Sequence, residues 1–261
     1  MYSFDIERPG TVADAVAALG AEEAQALGGG QTLIPTLKQR LASPSKLVSL
    51  SGIAEIKGVS QEGDTLVIGG GTTHATVASE AGAYPALAAL AGNIGDPAVR
   101  NRGTIGGSLA NNDPSACYPA AALGSGATIV TNTREIAADD YFEGMFATAL
   151  EEGEIITAVK FPVPEKAAYM KFEQPASRFA LVGVFVSQGA GGVRVAVTGA
   201  SENGVFRWSE AEAALSSNFS ADALNGMSPS GDEMISDLHG TGAYRAHLVG
   251  VMTRRAVTAA G

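Results

Sequence analysis

Cysteine is nearly absent from this sequence: among 261 residues there is one, Cys117. A lone thiol excludes a disulfide framework, and it also excludes an iron–sulfur cluster or a zinc site built from cysteines of this chain alone. The three histidines, His74, His239 and His247, are scattered along the chain and do not predict a metal site. We interpret His74, which follows a strand pattern, as a hydrogen-bonded structural residue.

Positive charge is also scarce. Lysine and arginine number 17 against 27 aspartate and glutamate residues, which gives a formal net charge of −10. Nucleic acids and anionic membrane surfaces bind proteins through basic patches, so this balance argues against both as partners. An anionic ligand would have to be held by local backbone dipoles and a few well-placed cations.

A long apolar segment is missing as well. No run of about 18 apolar residues is present, so we predict no membrane-spanning helix. Residues 1–10 contain charges and a proline but no apolar stretch typical of a secretory signal, and we expect a cytoplasmic protein. With 46% hydrophobic and 17% charged residues, the chain has the composition of a globular protein.

Glycine, in contrast, is abundant: its 33 residues are about twice the average usage of roughly 7%. No repeat explains them, because they cluster at 28–30, 69–71, 103–107 and 189–192. The first cluster lies between a predicted strand at 25–27 and a predicted helix at 31–41. Strand, glycines and helix N-terminus in this order are typical of a phosphate-binding turn.

Two common nucleotide-binding motifs are not present at this turn. Leu33 occupies the position of the last glycine in G-x-G-x-x-G, and no G-K-[ST] sequence is found. The sequence therefore supports neither a Rossmann site nor a P-loop.

The segment 93–119 is rich in glycine, proline and polar residues, so it contributes little to a core. Glycines allow close approach to the main chain, and the amides of residues 104–108 are predicted to converge on an anion as a nest. An ordinary long loop is the alternative. Loops beyond about 12–15 residues are uncommon unless they are functional, which favours a binding role.

A domain boundary is predicted near residue 164, after the sequence 161–164 (FPVP). We expect a first domain at 1–164, divided at about residue 55, and a second domain at 165–261. The second domain contains three β-rich runs followed by helical patterns, which predicts a separate α+β domain. The runs are 168–173, 181–187 and 193–198, and the helical patterns are 209–216, 220–224 and 244–260.

Together these segments resemble the FAD-binding medium subunit of the molybdenum hydroxylases, the group of aerobic carbon monoxide dehydrogenase and xanthine dehydrogenase. The resemblance covers essentially the whole chain. It rests on an ordered series of motifs: 28–35 (GGGQTLIP) with Lys38 and Arg40, 68–74 (IGGGTTH), 94–96, 99–101, 103–107 (GTIGG), 113–114, 119–120, 154–156, 169–171, 244–245 and 254–256.

The resemblance implies an α+β fold: a two-part FAD-binding domain like that of vanillyl-alcohol oxidase, followed by a smaller domain of three antiparallel strands and helices. It also implies two partner chains, a molybdopterin-binding large subunit and a small subunit with two [2Fe–2S] clusters. The single cysteine agrees with this, since the chain supplies no cluster itself.

The resemblance also assigns cofactor-binding positions. Residues 27–34 and 104–108 would surround the FAD diphosphate, Ile94 and Gly95 would form a wall, and Lys171 would reach the cofactor; the alternative for Lys171 is a surface lysine. The full set is Leu27, Gly28, Gly29, Gly30, Gln31, Thr32, Leu33, Ile34, Ile94, Gly95, Thr104, Ile105, Gly106, Gly107, Ser108, Asp113, Cys117, Ile156 and Lys171.

Cys117 departs from the family pattern, which has an acidic residue there; a small buried filler and a reactive thiol are the two interpretations. We expect no catalytic acid, base or nucleophile, because the flavin carries the chemistry. The predicted function is an electron-transfer subunit that receives electrons from the [2Fe–2S] partner and passes them to NAD, a quinone or another external acceptor. The alternatives are a stand-alone FAD-dependent reductase or oxidase, and a scaffold that has lost its flavin.

Overall fold

The computed structural model describes residues 1–261 and has an α+β architecture of three main sheets. Its strands are β1 Asp5–Glu7, β2 Ala24–Leu27, β3 Lys46–Ser49, β4 Val59–Glu62, β5 Thr65–Gly69, β6 Thr128–Thr131, β7 Glu135–Ala137, β8 Phe142–Gly144, β9 Ala147–Thr148, β10 Ile156–Pro162, β11 Lys166–Glu173, β12 Ala180–Gly189, β13 Gly192–Ser201 and β14 Gly204–Arg207.

The α-helices are α1 Val12–Leu19, α2 Leu33–Lys38, α3 His74–Glu80, α4 Pro85–Gly92, α5 Pro97–Arg100, α6 Ile105–Asn111, α7 Cys117–Ser125, α8 Ala138–Tyr141, α9 Ser209–Ser217 and α10 Gly242–Ala260, with short 3₁₀ turns at Leu50–Gly52, Ala54–Ile56 and Ala221–Leu224. None of these helices combines the length and the apolar character needed to cross a membrane.

The first sheet is small and parallel, in the order β1-β3-β2. Helix α1 covers it: the Thr11 side chain accepts a hydrogen bond from the Asp14 amide at the N-cap, and Gly20 follows the helix. A separate small core of Ala15, Ala18, Leu19, Val48, Ile53, Ile56 and Ile155 holds this layer together. Helix α2 is shorter than the predicted 31–41.

The second sheet is antiparallel, in the order β4-β5-β10-β6-β7. Strand β10 lies at its centre and pairs with both β5 and β6, so the chain returns to this sheet just before residue 164. The largest core cluster packs between the sheet and helices α3, α4, α6 and α7. Segment 93–119 is not an open loop, because α5, α6 and the start of α7 lie within it.

The third sheet is antiparallel in the order β11-β12-β13-β14. It contains the three predicted strands and a fourth, β14, which the sequence reading missed because only four residues follow the tight turn after β13. Helices α9 and α10 cover one face with their own core. The other face packs on α7: Ser187 Oγ donates to Gly124 O at 2.6 Å, and Thr198 Oγ1 donates to Ala116 O at 2.8 Å.

Candidate functional site: a cavity between two glycine loops

A cavity of about 790 Å³ lies where the three layers meet. Its walls come from the turn after β2, the segment from Ile94 to Cys117, the start of β10 and the turn between β11 and β12. Small-molecule and cofactor pockets typically span about 300–1,000 Å³. The cavity therefore has room for a large organic cofactor.

Most residues predicted for the site lie in the wall of this one cavity. Leu27 to Leu33 line it on one side, and Ile94, Gly95, Thr104, Gly106, Gly107, Ser108, Asp113, Cys117, Ile156 and Lys171 complete the set. Ile34 and Ile105 are outside the lining: Ile105 is fully buried, and Ile34 packs against Gly30. The structure thus brings together positions that are up to 144 residues apart.

The first glycine loop, residues 28–32, presents free backbone donors. None of its five amides donates a hydrogen bond to a protein atom. Gly30 has φ +73°, a left-handed conformation that glycine adopts at low cost. Unpaired amides that are buried or line a cavity need another partner, and consecutive amides of this kind suit an anion.

The second glycine loop, residues 103–108, is built differently. The Ile105 amide donates to Thr72 O at 3.1 Å and the Gly106 amide donates to Gly70 O at 2.8 Å. The Gly107 amide donates to the Thr104 side chain, which caps α6. Only the Thr104 amide has no protein acceptor. The prediction of a nest over 104–108 is therefore wrong in detail, because neighbouring carbonyls already occupy these donors.

The two loops are in direct contact, and glycine is required at that contact. A β-carbon on Gly29 would overlap Arg102 O, and one on Gly70 would overlap Ile156 O. A β-carbon on Gly106 would lie 2.6 Å from Gly70 O. The loop at 103–107 therefore packs against the loops at 28–32 and 69–71 through backbone atoms, with no room for side chains between them.

Ile94 and Gly95 are held in place by an arginine. Gly95 has φ +52°, and Arg100 Nη1 donates to Ile94 O at 3.1 Å and to Gly95 O at 2.9 Å. Arg100 belongs to α5, whose N-cap Asp96 accepts a hydrogen bond from the Val99 amide. This wall is rigid because its carbonyls are tied to the same short helix.

Lys171 is not a surface lysine. Its side chain is 1% exposed, and its ammonium donates to Asn93 O at 2.6 Å and to Arg178 O at 2.9 Å. Glu173 Oε1 lies 3.6 Å away. A direct contact with a cofactor remains a prediction for this residue.

Cys117 is buried at the first turn of α7 and lines the cavity. Burial raises the pKa of its thiol, and the nearby Lys171 offsets only part of that effect. A protonated thiol is a poor nucleophile, so the interpretation as a small filler fits the structure. Asp113 accepts a hydrogen bond from the Ser115 amide at 2.8 Å, which shapes the turn before α7.

His74 is a cavity residue that the sequence reading did not assign to the site. It begins α3, is 5% exposed, and its Nδ1 has no hydrogen-bond partner in the protein. The expectation of a hydrogen-bonded histidine is therefore wrong, since the ring packs against Tyr118 and the backbone of Gly103 instead. Burial, with a smaller effect of Arg100, lowers its pKa to about 4, so the imidazole is neutral at pH 7. In the sequence, the signal that could have assigned His74 to the site is its position in the motif 72–74, directly after a glycine turn.

Glu154 anchors the remaining wall before Ile156. Its carboxylate forms a two-pronged ion pair with Arg134, at 2.9 Å for both contacts. Arg134, with hydrogen bonds from Thr133 and Thr131, holds the pKa of Glu154 well below its usual range.

Comparison with known proteins identifies the family. The family model described as "FAD binding domain in molybdopterin dehydrogenase" matches residues 2–164. The carbon monoxide dehydrogenase medium chain of Afipia carboxidovorans is 35% identical, over 98% of this chain and 96% of that protein. The nicotine 6-hydroxylase medium subunit of Paenarthrobacter nicotinovorans is 34% identical, over 97% and 95%.

A solved structure agrees with these sequence matches. The reconstituted CO dehydrogenase from Oligotropha carboxidovorans contains a chain that superimposes with a TM-score of 0.87 at 34% identity, covering 99% of this chain and 98% of that one. The α+β fold and FAD as cofactor, both predicted from the motifs, are confirmed. This chain belongs to the FAD-binding medium subunits of the molybdopterin-dependent dehydrogenases and is an oxidoreductase subunit.

Proposed function

We propose that this chain is the electron-transfer subunit of a molybdenum hydroxylase complex, which takes electrons from a [2Fe–2S] subunit and passes them to an external acceptor. The observation that carries the proposal is the row of five unpaired amides at residues 28–32 in the wall of a cofactor-sized cavity. The single cysteine agrees with the proposed [2Fe–2S] partner, because this chain lacks the cysteines to hold a cluster itself.

We propose that the amides of residues 28–32 and of Thr104 hold the FAD diphosphate. Hydrogen bonds to charged groups contribute about 1.5–3 kcal/mol each, so a few fixed donors are enough to offset a net charge of −10. Gly107 and Ser108 would contribute by close approach rather than through their amides, which are engaged. Ile94, Gly95 and Ile156 supply apolar or backbone walls, and Asp113 and Cys117 close the inner end.

FAD, when bound, supplies one- and two-electron redox chemistry through its isoalloxazine ring. The protein residues bind, orient and shield that ring. We propose no acid, base or nucleophile among them: Glu154 is engaged in its ion pair with Arg134, burial keeps the thiol of Cys117 protonated, and His74 is held neutral. The proposed domains are 1–164 for FAD binding and 165–261 for covering the cavity.

Cofactor binding is tested with the purified chain. We expect a yellow protein, or a colourless one that takes up added FAD and shows flavin absorbance. A matched pair of variants tests the site: Gly28→Ala places a β-carbon 3.1 Å from Thr104 Oγ1 between the loops, whereas Gly82→Ala points into open space. Loss of FAD affinity in the first variant alone supports the site; equal affinity in both refutes it.

The assembly is tested by affinity purification from the native host. We expect two co-purifying chains, a large one with molybdopterin and a small one with [2Fe–2S] clusters. Under anaerobic conditions, substrate should bleach the flavin of the complex but not that of the isolated chain. Full activity of the isolated chain would instead favour the stand-alone reductase or oxidase, and a chain that never binds FAD would favour the scaffold.

A further inference from the structure

The hairpin β8–β9 presents two large apolar side chains to solvent. Its strands pair at Gly144 and Ala147, so Met145 and Phe146 form a two-residue turn at its tip. Met145 is 41% exposed and Phe146 is 61% exposed. Single exposed apolar residues are common on protein surfaces. Methionine and aromatic residues are enriched in the cores of protein–protein interfaces, so the tip has the composition of a contact site.

The backbone at the tip is strained. Five non-glycine residues have a positive φ, and Phe146, at +58°, is the only apolar one among them. Turn positions with a positive φ usually carry glycine or asparagine, and a bulky side chain is unfavourable there. Such strain persists only where the surrounding structure fixes it, and it is concentrated at functional sites.

Asn112 fixes this strained conformation. It follows α6 with φ +42° and is 2% exposed. Its side-chain amide donates to Gly144 O at 2.8 Å and to Ala147 O at 2.9 Å, and its carbonyl accepts from the Phe146 amide at 3.1 Å. The turn is therefore held rigid in the isolated chain, which reduces the entropy that a partner's binding would cost.

The hairpin lies beside the cavity described above. Asn111 and Asp113, the two neighbours of Asn112, line the cavity wall. Leu150 and Glu154, which follow the hairpin in the chain, line it as well. A protein bound to the tip would therefore sit next to the cofactor-binding part of this chain.

The charge around the hairpin is of one sign. Residues 138–159 contain six acidic residues and no lysine or arginine. Asp139, Glu151 and Glu154 pair with arginines elsewhere in the chain, whereas the exposed Glu143 in the hairpin forms no ion pair. Complementary potentials favour association and like charges oppose it. A basic partner surface therefore fits this site, and a second copy of this chain, with its net charge of −10, does not.

We propose that the hairpin tip, Met145 and Phe146, is a docking site for the [2Fe–2S] subunit, which receives the two side chains in an apolar pocket edged by lysine or arginine. That subunit is the electron donor of the proposed function, on which this inference rests. Electron transfer becomes slower with distance, so the donor has to lie close to the cavity, and the hairpin offers it a rigid anchor there.

The docking site is tested in the complex purified from the native host through a tagged copy of this chain. Phe146→Asn removes the apolar side chain and introduces a residue that tolerates a positive φ. The unfolding midpoint of the isolated chain should equal or exceed that of the wild type. The [2Fe–2S] subunit should separate from the complex at a concentration at least about tenfold higher, as expected when an aromatic anchor is lost. Mass photometry of the diluted complex measures the separation.

Leu41→Asn is the matched control, because Leu41 is 74% exposed and lies outside the hairpin, after α2. Its complex should separate within about twofold of the wild-type concentration. Equal separation of the Phe146→Asn and wild-type complexes overturns the docking site, and so does an equal weakening in Leu41→Asn. A lower unfolding midpoint of the isolated Phe146→Asn chain also overturns it, because the side chain would then have a structural role.

Photo-crosslinking identifies the occupant. Benzoylphenylalanine placed at position 146 keeps an aromatic ring at the tip, and on irradiation it should crosslink to an apolar peptide of the [2Fe–2S] subunit that contains a lysine or arginine. A crosslink to the large subunit or to a second copy of this chain, or no crosslink, overturns the inference. If the wild-type chain recovers no partner subunits, the proposed assembly is refuted and the docking site with it. If the complex is recovered and Phe146→Asn leaves it unchanged, only the docking site is refuted.

Discussion

The two glycine loops look alike in sequence and differ in what their backbone does. The five amides of residues 28–32 have no protein acceptor, whereas the amides of residues 105–108 donate hydrogen bonds to Thr72 O, Gly70 O and the N-cap residue Thr104. Glycine in the first loop exposes donors. Glycine in the second loop lets a short helix pack directly on the turn at 69–71. The comparison shows that a glycine cluster near a cofactor has at least two separate physical functions.

We expect the largest loss of stability from a substitution that disrupts the packing of the second loop on the turn at 69–71. Gly106→Val would force a side chain into Gly70 O, which lies 2.6 Å from the β-carbon position. Overpacking typically costs about 1–3 kcal/mol and more when backbone must move, so we expect a loss of at least about 3 kcal/mol in the absence of FAD. Urea unfolding of the apo protein measures it.

Gly82→Ala is the control for this substitution, because its β-carbon meets nothing within 4 Å. Its unfolding free energy should stay within about 0.5 kcal/mol of the wild type. If Gly106→Val keeps wild-type stability and loses only FAD, the second loop is an anion site after all and the comparison fails.

The second effect is a pH dependence of the free energy of unfolding, and it arises beside the second loop, where His74 packs on Gly103. The pKa of His74 is about 4 in the folded protein against 6.5 for the unfolded reference. The unfolded state therefore binds more protons between these values. Because of this difference in proton binding, the free energy of unfolding is unaffected by His74 above pH 6.5 and decreases as the pH falls. By pH 4 the decrease amounts to about 3 kcal/mol.

His74→Gln removes this titration, so the stability difference between wild type and variant should shift in favour of the variant between pH 7 and pH 4.5. Unfolding curves at the two pH values, with both proteins measured in parallel, cancel the titration of the other acidic groups. A pH-independent difference would show that His74 is not held neutral by the fold.

The smallest expected effect concerns the N-cap residues of α2 and α6, which belong to the first and the second loop. Thr104 Oγ1 accepts a hydrogen bond from the Gly107 amide at 3.1 Å, while Thr32 makes no side-chain capping bond. Thr104→Ala should cost about 1 kcal/mol of apo stability, and Thr32→Ala should cost less than about 0.5 kcal/mol. Thermal unfolding of the apo proteins ranks them; the reverse order would contradict the assignment of roles.

Much of the fold was accessible from local pattern. The predicted helical patterns 209–216 and 244–260 match α9 and α10 to within two residues. Local signals failed where the element is short, as for β14, or where the contacts are distant, as in segment 93–119. The cytoplasmic location and the domain boundaries remain predictions.

For the site, the sequence by itself determined the chemistry: the glycine positions, the family and FAD follow from the residue types and their order. Tertiary structure decided which amides are free, because Gly70 O and Thr72 O, which accept from the Gly106 and Ile105 amides, lie on a distant segment. It also decided that Lys171 is buried between Asn93 O and Arg178 O. A hydrogen bond between distant segments depends on where the chain folds back, and that position is not encoded next to either partner.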